Sequence, residues 1–428
     1  MFNANPVEMW LRERREHSDM TVTPISLAEC SPWQMTKTAI SRPDGRFFAV
    51  HQRESIYIDQ PEIGLLSFVL VGSGSEPLVL AHAKDEPGNV GLTQLAPTVQ
   101  ATLSNISRAH GGAPTNYLDL AHPEFTNAEV IADTLQSEHG ERFWKKRNRN
   151  VLVQTNHIAA VDRNYLLRPL SELLALLATD YAVNTDARSV LVCSPWRRLI
   201  APDVTPFGGT DEWSQRLRVS YDAPVTRAMW ALEMLHEFRV SRRQSEHPIV
   251  PFVGVDTEGP VRVVNDAQPV DKRIDFIRVT SSTREVGAWN QPIFATDTED
   301  RQVLLTRNVG DSVEFLLRVA LEPGFNSAAE YSVSHVEYAG APGGHPWVAK
   351  QARSGDAIVS VRQSDEGGRF LRAVSTYAIV KVVGEAPVDV ESDGYVWLTL
   401  ADIQELVLTS ETVTNELRSA LAVLLYWL

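Results

Sequence analysis

Three side chains that could transfer a proton lie within one polar stretch between residues 82 and 150. Lys84 ends an apolar segment, His110 precedes two glycines, and Glu138 lies between Ser137 and His139. A positioned general acid or base of these residue types typically contributes about 10²–10⁴-fold to a rate. The stretch therefore predicts acid–base chemistry, with Lys84, His110 and Glu138 as candidate catalytic residues.

Each candidate also has an ordinary structural explanation. Lys84 could be a solvated or salt-bridged strand lysine, His110 an exposed loop residue, and Glu138 a salt-bridge residue. If residues 80–84 form a strand, His82 and Lys84 share one face, because side chains alternate with a period of two. His82 is therefore a candidate substrate contact.

A set of hydrogen-bonding side chains lies between Lys84 and His110, most of them within a dozen residues. Amides and hydroxyls of this kind could bind the hydroxyls of a sugar, although a strand face turned to water has the same composition. Their density favours a pocket. The predicted binding residues are Asn89, Gln94, Thr98, Gln100, Ser104 and Asn105.

A short basic run closes the stretch at residues 145–150. On a strand, Arg147 and Arg149 would share one face and Asn148 would point the other way. Guanidinium groups match phosphate oxygens, so the two arginines predict a diphosphate clamp, with Asn148 as a further candidate contact. The alternative is a solvated helix end.

Strands and helices that could position these groups follow from hydrophobic patterns and turn signals. Strands are predicted at 45–51, 55–58, 65–71, 77–84 and 151–154, and helices at 127–144 and 171–178.

Five short motifs recur in the same order, 227 to 236 residues further along the chain. One such match could arise by chance, but five collinear matches indicate an internal duplication. The predicted organisation is a first copy at 1–200, a connection at 201–224 and a second copy at 225–428. The recurring pairs are Gln60-Pro61 and Gln291-Pro292, Glu86-Pro-Gly88 and Glu322-Pro-Gly324, Gln136–Phe143 and Gln363–Phe370, Tyr165–Leu170 and Tyr395–Leu400, and Asn184–Arg188 and Thr414–Arg418.

Comparison of the two copies separates shared scaffold from residues found in one copy. The motifs Glu86-Pro-Gly88 and Gln136–Phe143 occur twice and are predicted to be mainly structural. Most polar groups of the first copy are not repeated, so the first copy is predicted to carry the chemistry. Lys84 aligns with Ala320, Asn89 with Phe325, Gln94 with Glu330, and Gln100 with Val336.

Charge and composition restrict the class of partner. The formal net charge of −14 disfavours nucleic acid and anionic membranes, both of which attract basic surfaces. No stretch approaches the roughly 18 apolar residues of a membrane helix. Cys30 and Cys193 form neither a disulfide framework nor a metal-ligand spacing, which fits a cytoplasmic protein.

The motifs of the first copy resemble those of the NDP-hexose 2,3-dehydratases, enzymes of deoxysugar biosynthesis for natural products. The resemblance covers nearly the whole chain. In the second copy Tyr331-Ser-Val-Ser-His-Val336 replaces the family's Leu-Ala-Pro-Thr-Val-Gln motif. The matching segments are Lys84–Asn89, Gln94–Thr102, Ser104-Asn105, His110–Gly112, Leu135–Gly140, Lys146–Asn150, Trp289–Pro292, Ser364–Phe370 and Tyr395–Leu400.

This resemblance implies an α+β fold with mixed sheets, built from two tandem Nudix-hydrolase-like domains. It also implies a homodimer and two nucleotide-sugar pockets per subunit, of which one turns over. The replaced motif calls the second pocket into question. No redox cofactor is implied, and the glutamate-rich metal helix of Nudix hydrolases is not visible. A NAD(P)H-dependent 3-ketoreductase would act on the product.

The implied reaction is a β-elimination from dTDP-4-keto-6-deoxyglucose. A base removes the C3 proton, the C2 hydroxyl leaves, and the enol becomes a 3,4-diketo-2,6-dideoxy sugar. Lys84 could lie at the C4 oxygen or a phosphate. Trp144, Tyr117 or Phe48 could stack on the thymine; the sequence does not choose among them, and each is more often a core residue. Two alternatives are a non-catalytic nucleotide-sugar-binding protein and a Nudix-type pyrophosphate hydrolase.

Overall fold

Two seven-stranded sheets with the same strand order form the frame of the molecule. The computed structural model describes residues 5–72, 76–109, 111–241, 247–252, 261–262, 272–337 and 344–428. Together with the helices given below, the sheets confirm the predicted α+β class and the internal duplication. No helix in these ranges is long and apolar enough to cross a membrane.

The elements follow one another in two similar series. The strands of the first series are β1 (Thr21–Ile25), β2 (Gln34–Met35), β3 (Ala39–Ser41), β4 (Ala49–Gln52), β5 (Ile56–Asp59), β6 (Gly64–Val71), β7 (Leu78–Asp85), β8 (Thr93–Ala96), β9 (Val99–Ala101), β10 (Glu129–Ser137), β11 (Phe143–Trp144), β12 (Arg147–Thr155) and β13 (Tyr165–Pro169). Those of the second are β14 (Val261–Arg262), β15 (Lys272–Thr280), β16 (Ala288–Thr296), β17 (Asp300–Val309), β18 (Ser312–Ala320), β19 (Glu330–Ser332), β20 (His335–Glu337), β21 (Asp356–Ser364), β22 (Phe370–Leu371), β23 (Val374–Lys381) and β24 (Tyr395–Leu398). The helices are α1 (Pro6–Glu16), α2 (Leu103–Ile106), α3 (Leu118–Ala121), α4 (Leu170–Leu174), α5 (Thr185–Val192), α6 (Glu212–Tyr221), α7 (Ala228–Ser241), α8 (Pro346–Ser354), α9 (Leu400–Val407) and α10 (Asn415–Leu424).

The two large sheets repeat one topology. The first has the order β10-β12-β6-β7-β13, with β8 beside β7 and β9 beside β6. The second has the order β21-β23-β17-β18-β24, with β19 beside β18 and β20 beside β17. In both, the central pair is parallel, and the edge pair carries a register shift at an equivalent place.

Two smaller sheets accompany the large ones. One has the order β11-β5-β4-β3-β2, and the other β1-β15-β16-β22 with β14 beside β15. Strand β1 pairs antiparallel with β15, so a segment near the N-terminus is built into a sheet of the second half. Helix α6 lies inside the predicted connection 201–224. The domain limits 1–200 and 225–428 stay a prediction.

The first large sheet is buried on both faces, which explains its sequence pattern. Every residue of β6 is buried. Leu66, Phe68 and Leu70 belong to the same core cluster as α5, whereas Leu65 and Val69 belong to the cluster under α3. A strand covered on both sides reads as a continuous apolar run, so the strand predicted at 65–71 was recognisable.

The helix predicted at 127–144 is wrong, because Glu129–Ser137 is strand β10 and Phe143–Trp144 is strand β11. Ala132, Thr134 and Gln136 are buried at alternate positions, which is the period of a strand. The buried face is partly polar because it meets the other half. The Gln136 amide donates there to the carbonyl oxygens of Val407 and Thr409 at 3.3 and 3.4 Å.

Reciprocal contacts join the halves at α5 and α10. Arg188 on α5 donates to the carbonyl oxygen of Ser364 at 3.1 Å, and Arg418 on α10 donates to that of Ser137 at 2.7 Å. Both arginines are fully buried. Each half therefore contributes to the interior of the other.

Each of the two Glu-Pro-Gly turns packs against the other half of the chain, an arrangement that we call the exchange of turns. Gly88 N–H donates to the Gly367 carbonyl and Gly324 N–H to the Gly140 carbonyl, both at 2.8 Å. A Cβ at Gly88 would lie 1.7 Å from the Phe370 oxygen, and one at Gly324 would lie 1.9 Å from the Phe143 oxygen. Only glycine permits this approach, so the predicted structural role of both glycines is confirmed.

Candidate functional site

Lys84 lies buried near the end of β7. Its Nζ donates to the carbonyl oxygen of Gln100 at 2.9 Å and lies 4.0 Å from Glu86 Oε1. Because β7 spans Leu78–Asp85, Lys84 and His82 share one strand face, as predicted. Burial lowers the pKa of the Lys84 ammonium, and Glu86 only partly opposes this shift. The site therefore holds an amine that loses its proton more readily than a surface lysine does.

Glu86 is the centre of a hydrogen-bond network at this position. Its carboxylate accepts from Gln100 Nε2 at 2.8 Å and from Asn89 Nδ2 at 3.3 Å. Gln100 Oε1 accepts in turn from Asn184, the residue that caps α5, at 2.9 Å. Asn89 and Gln100, predicted to bind sugar, thus orient a buried carboxylate.

The network exists only in the first half, although its central glutamate occurs in both. Phe325 and Val336 replace the two amides around Glu322, and Ala320 replaces the lysine. The motif comparison grouped Glu86 with structural residues because Glu322 repeats it. The difference between the two halves lies in the side chains around the glutamate, which only the first half provides as amides and an amine.

Three further acidic residues surround Glu86: Glu138, Asp186 and Glu366. Burial raises the pKa of Asp186 well above its usual range, and the charges of Glu366, Glu138 and Glu86 add to the shift. Burial also raises the pKa of Glu366, to which Glu138 and Glu86 contribute while Arg369 opposes. This part of the site can hold protons at a pH where exposed carboxyls have lost them.

Glu138 is fixed by two amides, one from each half. Its Oε1 accepts from Asn148 and its Oε2 from Asn415, both at 2.8 Å. Asn148 therefore points inward to Glu138, away from the face of Arg147 and Arg149 as predicted, and its contact with substrate stays a prediction. Glu138 is as deeply buried as Glu86 and is held in the same way by two amides, so its catalytic role stays a prediction.

A loop of the second half, residues 281–287, lies beside Lys84. Arg284 Nη1 donates to the Asp85 carbonyl at 2.8 Å, and Glu285 accepts at its own carbonyl from Ala113 N–H at 3.0 Å. Burial alone would raise the pKa of Glu285, but Arg284 and Lys84 lower it to about 2. The second half thus supplies charges to the site.

An aromatic group lines the same strand face. The His82 ring stacks on Tyr165 with centroids 4.3 Å apart and planes 7° apart, and Tyr117 packs edge-on against Tyr165 at 4.8 Å. Burial, with the charge of Lys84, lowers the pKa of His82 to about 3. The imidazole is therefore neutral near pH 7 and offers a flat, uncharged surface.

Arg147 and Arg149 lie on one face of β12 as predicted, but Arg149 already has partners. Its Nε and Nη2 donate to the two Asp133 oxygens at 2.7 and 2.6 Å, and its Nη1 donates to Glu124 at 3.0 Å. Arg147 Nη1 lies 3.9 Å from Glu411. Both guanidinium groups thus face carboxylates in this structure, and the diphosphate clamp stays a prediction.

Gln94 and Thr98 make hydrogen bonds that have equivalents in the second half. Gln94 Nε2 donates to Ser364 Oγ at 2.9 Å, and its counterpart Glu330 accepts from Ser137 Oγ at 2.5 Å. The Thr98 hydroxyl accepts from Val69 N–H at 2.9 Å and donates to the Leu80 carbonyl. These side chains serve the fold, so neither is retained in the proposed binding set.

Thr98→Val and Ser334→Ala should destabilise the protein to a similar degree. Ser334 accepts from Leu305 N–H at 2.8 Å and donates to the Leu316 carbonyl, as Thr98 does with its own neighbours. Each substitution leaves buried backbone groups unpaired, which costs about 1–3 kcal/mol in free energy of unfolding. Urea denaturation measures the change. If Thr98→Val folds but loses turnover while Ser334→Ala keeps it, Thr98 would again be a candidate substrate contact.

Three other predicted residues lie next to this site in the chain. Ser104 and Asn105 lie on α2, where the Thr102 hydroxyl is 2.7 Å from Ser104 Oγ and donates to Asn105 Oδ1 at 3.0 Å. His110 lies outside the described residues. In the described ranges no group of three or more His, Cys, Asp or Glu side chains is arranged to hold a metal ion.

Sequence reasoning missed the residues that come from the second half. Glu366, Arg369, Arg284 and Glu285 belong to the copy predicted to be degenerate, and Asp186 belongs to a motif repeated as Glu416. The sequence contained one signal for them: within the repeated motif, the residue type changes from His139 in the first copy to Glu366 in the second. Its relevance to Lys84 is visible only in the structure, where turns of each half contact the other half.

Comparisons with known proteins show the family of the chain. A family model described as NDP-hexose 2,3-dehydratase matches residues 4–194 and 262–424. The chain is 28% identical to a dTDP-4-dehydro-6-deoxy-α-D-glucopyranose 2,3-dehydratase of Saccharopolyspora spinosa, over 99% of this chain and 91% of the relative. Relatives of the same name from Streptomyces violaceoruber and Amycolatopsis orientalis are 28% and 27% identical, over 96% and 97% of this chain and 95% and 89% of their own.

Proposed function

Because the chain belongs to the NDP-hexose 2,3-dehydratase family, we propose that it eliminates water across C2 and C3 of dTDP-4-keto-6-deoxyglucose. Three relatives that match almost the whole chain are named for this activity. The observation that carries the proposal is the buried amine of Lys84 beside the Glu86 carboxylate, because elimination next to a ketone needs a donor for the enolate oxygen and a base for the C3 proton.

In this proposal Lys84 donates a hydrogen bond to the C4 oxygen. As the C3 proton leaves, negative charge develops on that oxygen, and a fixed donor in a buried site stabilises it more strongly than water would. The lowered pKa of Lys84 also permits proton exchange with the enol, because the amine changes protonation state more easily than a solvated lysine.

Glu86 is the proposed base. Two amide N–H groups, from Gln100 and Asn89, hold its carboxylate in one orientation beside Lys84. A base must lie within hydrogen-bond reach of the proton that it removes, so a fixed orientation is part of its function. His110 remains a second proposed proton-transfer residue, and His82, Tyr117, Ser104 and Asn105 remain proposed substrate contacts.

The proposed diphosphate contact is Arg284 in place of Arg149. Arg284 also has protein partners, the Asp85 carbonyl at 2.8 Å and Glu285 at 3.3 Å. Unlike Arg149, however, it lies beside Lys84.

Arg284→Ala should raise KM for the nucleotide sugar with a smaller change in kcat, because a phosphate contact away from C2 and C3 stabilises substrate and transition state alike. Arg149→Ala is the matched control. Its ion pairs with Asp133 and Glu124 are at the surface, where such pairs contribute about 0–1 kcal/mol. Equal effects of the two variants on KM would contradict this assignment.

A homodimer is the proposed assembly, and a NAD(P)H-dependent 3-ketoreductase is the proposed next enzyme. Exposed apolar side chains on α7, namely Met229, Trp230 and Val240, support an interface on that helix. Sedimentation equilibrium tests the assembly, since a monomer at micromolar concentration would contradict it.

The decisive test uses the purified protein with dTDP-4-keto-6-deoxyglucose in D₂O. NMR should show loss of the C2 hydroxyl-bearing methine, appearance of a deuterated C2 methylene and formation of a ketone at C3. An unchanged spectrum would reject the proposed activity on this substrate. Tight binding of the sugar nucleotide without any reaction would favour a binding protein instead.

A further inference from the structure

One pair of equivalent positions has different chemistry in the two halves. His139 Nδ1 lies 2.6 Å from Glu416 Oε1, so a histidine of the first half pairs with a carboxylate of the second. The positions equivalent by motif are Glu366, in the place of His139, and Asp186, in the place of Glu416. Near Lys84, therefore, two acids occupy the positions that hold an ion pair in the other half.

Each of these two acids has a carboxyl oxygen atom without a hydrogen-bond partner among the described residues. These atoms, Asp186 Oδ1 and Glu366 Oε2, are both buried. Two neighbouring carboxyl groups, each with a buried and unpaired oxygen atom, cannot both remain ionised without a large desolvation cost. Burial raises the pKa of both, and Glu366 is the strongest charged influence on Asp186.

Charged side chains on several elements of both halves face the pair. Lys84 and Glu86 face Asp186 from β7 and the turn after it, and Glu138 faces both acids from the turn after β10. Lys146 and Arg369 face Glu366 from β12's start and from the second half, and Arg188 lies behind Asp186 on α5. Asp186 is 2% exposed, whereas Glu366 is partly exposed.

We propose that Glu366 and Asp186 hold one proton between them, and that Glu366 delivers this proton to the C2 hydroxyl as it leaves. This inference rests on the proposed function and assigns the acid that the reaction requires. The second half, which lacks its own lysine, would then supply a catalytic group to the first.

The step balances without a cofactor. Glu86 takes the C3 proton, the C3–H electron pair forms the C2–C3 double bond, and the C2–O bond breaks. The proton of Glu366 moves to the departing oxygen, and water is released. The enol then gains a proton at C2 and loses the proton of its C3 hydroxyl, which gives the ketone.

Glu366→Gln tests the assignment by comparing two rates in D₂O, that of elimination and that of C3 proton exchange. Elimination should fall about 10²-fold or more, the usual contribution of a general acid. Exchange of the C3 proton for deuterium should persist in recovered substrate, because the base and the C4 donor are intact. A merely structural role would lower exchange and elimination together, and that result would overturn the inference.

Asp186→Asn is the second variant, and Glu416→Gln is the matched control. With a neutral amide beside it, Glu366 should lose its proton at lower pH, so the alkaline limb of the kcat/KM profile should move to lower pH. Glu416→Gln should leave the limb in place. An unmoved limb in folded Asp186→Asn would overturn the inference, and this readout decides alone if Glu366→Gln does not fold. A wild type that neither exchanges nor eliminates would reject the proposed function itself.

Discussion

Lys84→Met should lower kcat for elimination by about 10²–10³-fold, the usual effect of removing one donor to a developing oxyanion. Methionine keeps the length and apolar character of the stem, so the strand and its neighbours need not rearrange. Only the amine that donates to Gln100 and faces Glu86 is lost. Single-turnover kinetics with the sugar nucleotide measures the effect on the chemical step.

The same substitution should change how stability depends on pH. Because burial lowers the pKa of Lys84 in the folded protein, the unfolded chain binds this proton more tightly. Wild-type stability should therefore rise as pH increases towards about 10.4, the pKa of an unperturbed lysine, and Lys84→Met should lack this contribution. Thermal unfolding across this range tests the sign.

Lys350→Met is a suitable control, since Lys350 lies on the exposed side of α8. It removes one lysine far from the proposed chemistry and should leave kcat unchanged. If Lys84→Met kept wild-type turnover while folded, the assignment of Lys84 to the C4 oxygen would be wrong, although membership of the family would not be affected.

Gly88→Ala and Gly324→Ala should each lower the free energy of unfolding by about 3 kcal/mol or more, the upper range for overpacking a rigid interior. The added Cβ would meet a carbonyl oxygen at 1.7 Å in one case and 1.9 Å in the other. A backbone atom cannot rotate away as a side chain can, so the halves must separate locally. Urea denaturation measures both changes.

Gly287→Ala separates this effect from the general cost of adding a methyl group. The nearest atom to a Cβ at Gly287 is a carbonyl oxygen at 3.8 Å, an ordinary contact distance. The control should be nearly neutral. If Gly88→Ala and Gly324→Ala were as mild as Gly287→Ala, the described exchange of turns would not exist in solution.

The duplication and the fold class could be predicted because they leave local marks along the chain. Repeated motifs need no knowledge of contacts, and a strand buried on both faces such as β6 is an unbroken apolar run. Strand β10 was mistaken for a helix because its buried face includes Gln136, whose partners lie more than 270 residues away. A pattern search within one window contains no information on such a partner.

The sequence predicted the candidate site only where local residue patterns mark it. Lys84 was selected because the second copy has Ala320 at the equivalent position, and its catalytic role stays a prediction. Thr98 was chosen although Ser334 repeats its hydroxyl, and Arg149 was chosen without its partners Asp133 and Glu124 being known. Whether a polar side chain is already satisfied depends on long-range contacts, which residue type alone does not determine.

The exchanged turns and the paired helices α5 and α10 have the geometry expected of a symmetric dimer whose two chains were later fused into one. In such an ancestor each chain would lend residues to the active site of its partner. Fusion would free the two copies to diverge, but unequally. The second copy has Ala320 in place of the lysine, yet it still places Glu366 and Arg369 beside Glu86 of the first. On the proposed mechanism, the second half is therefore needed for the residues that it contributes to the first.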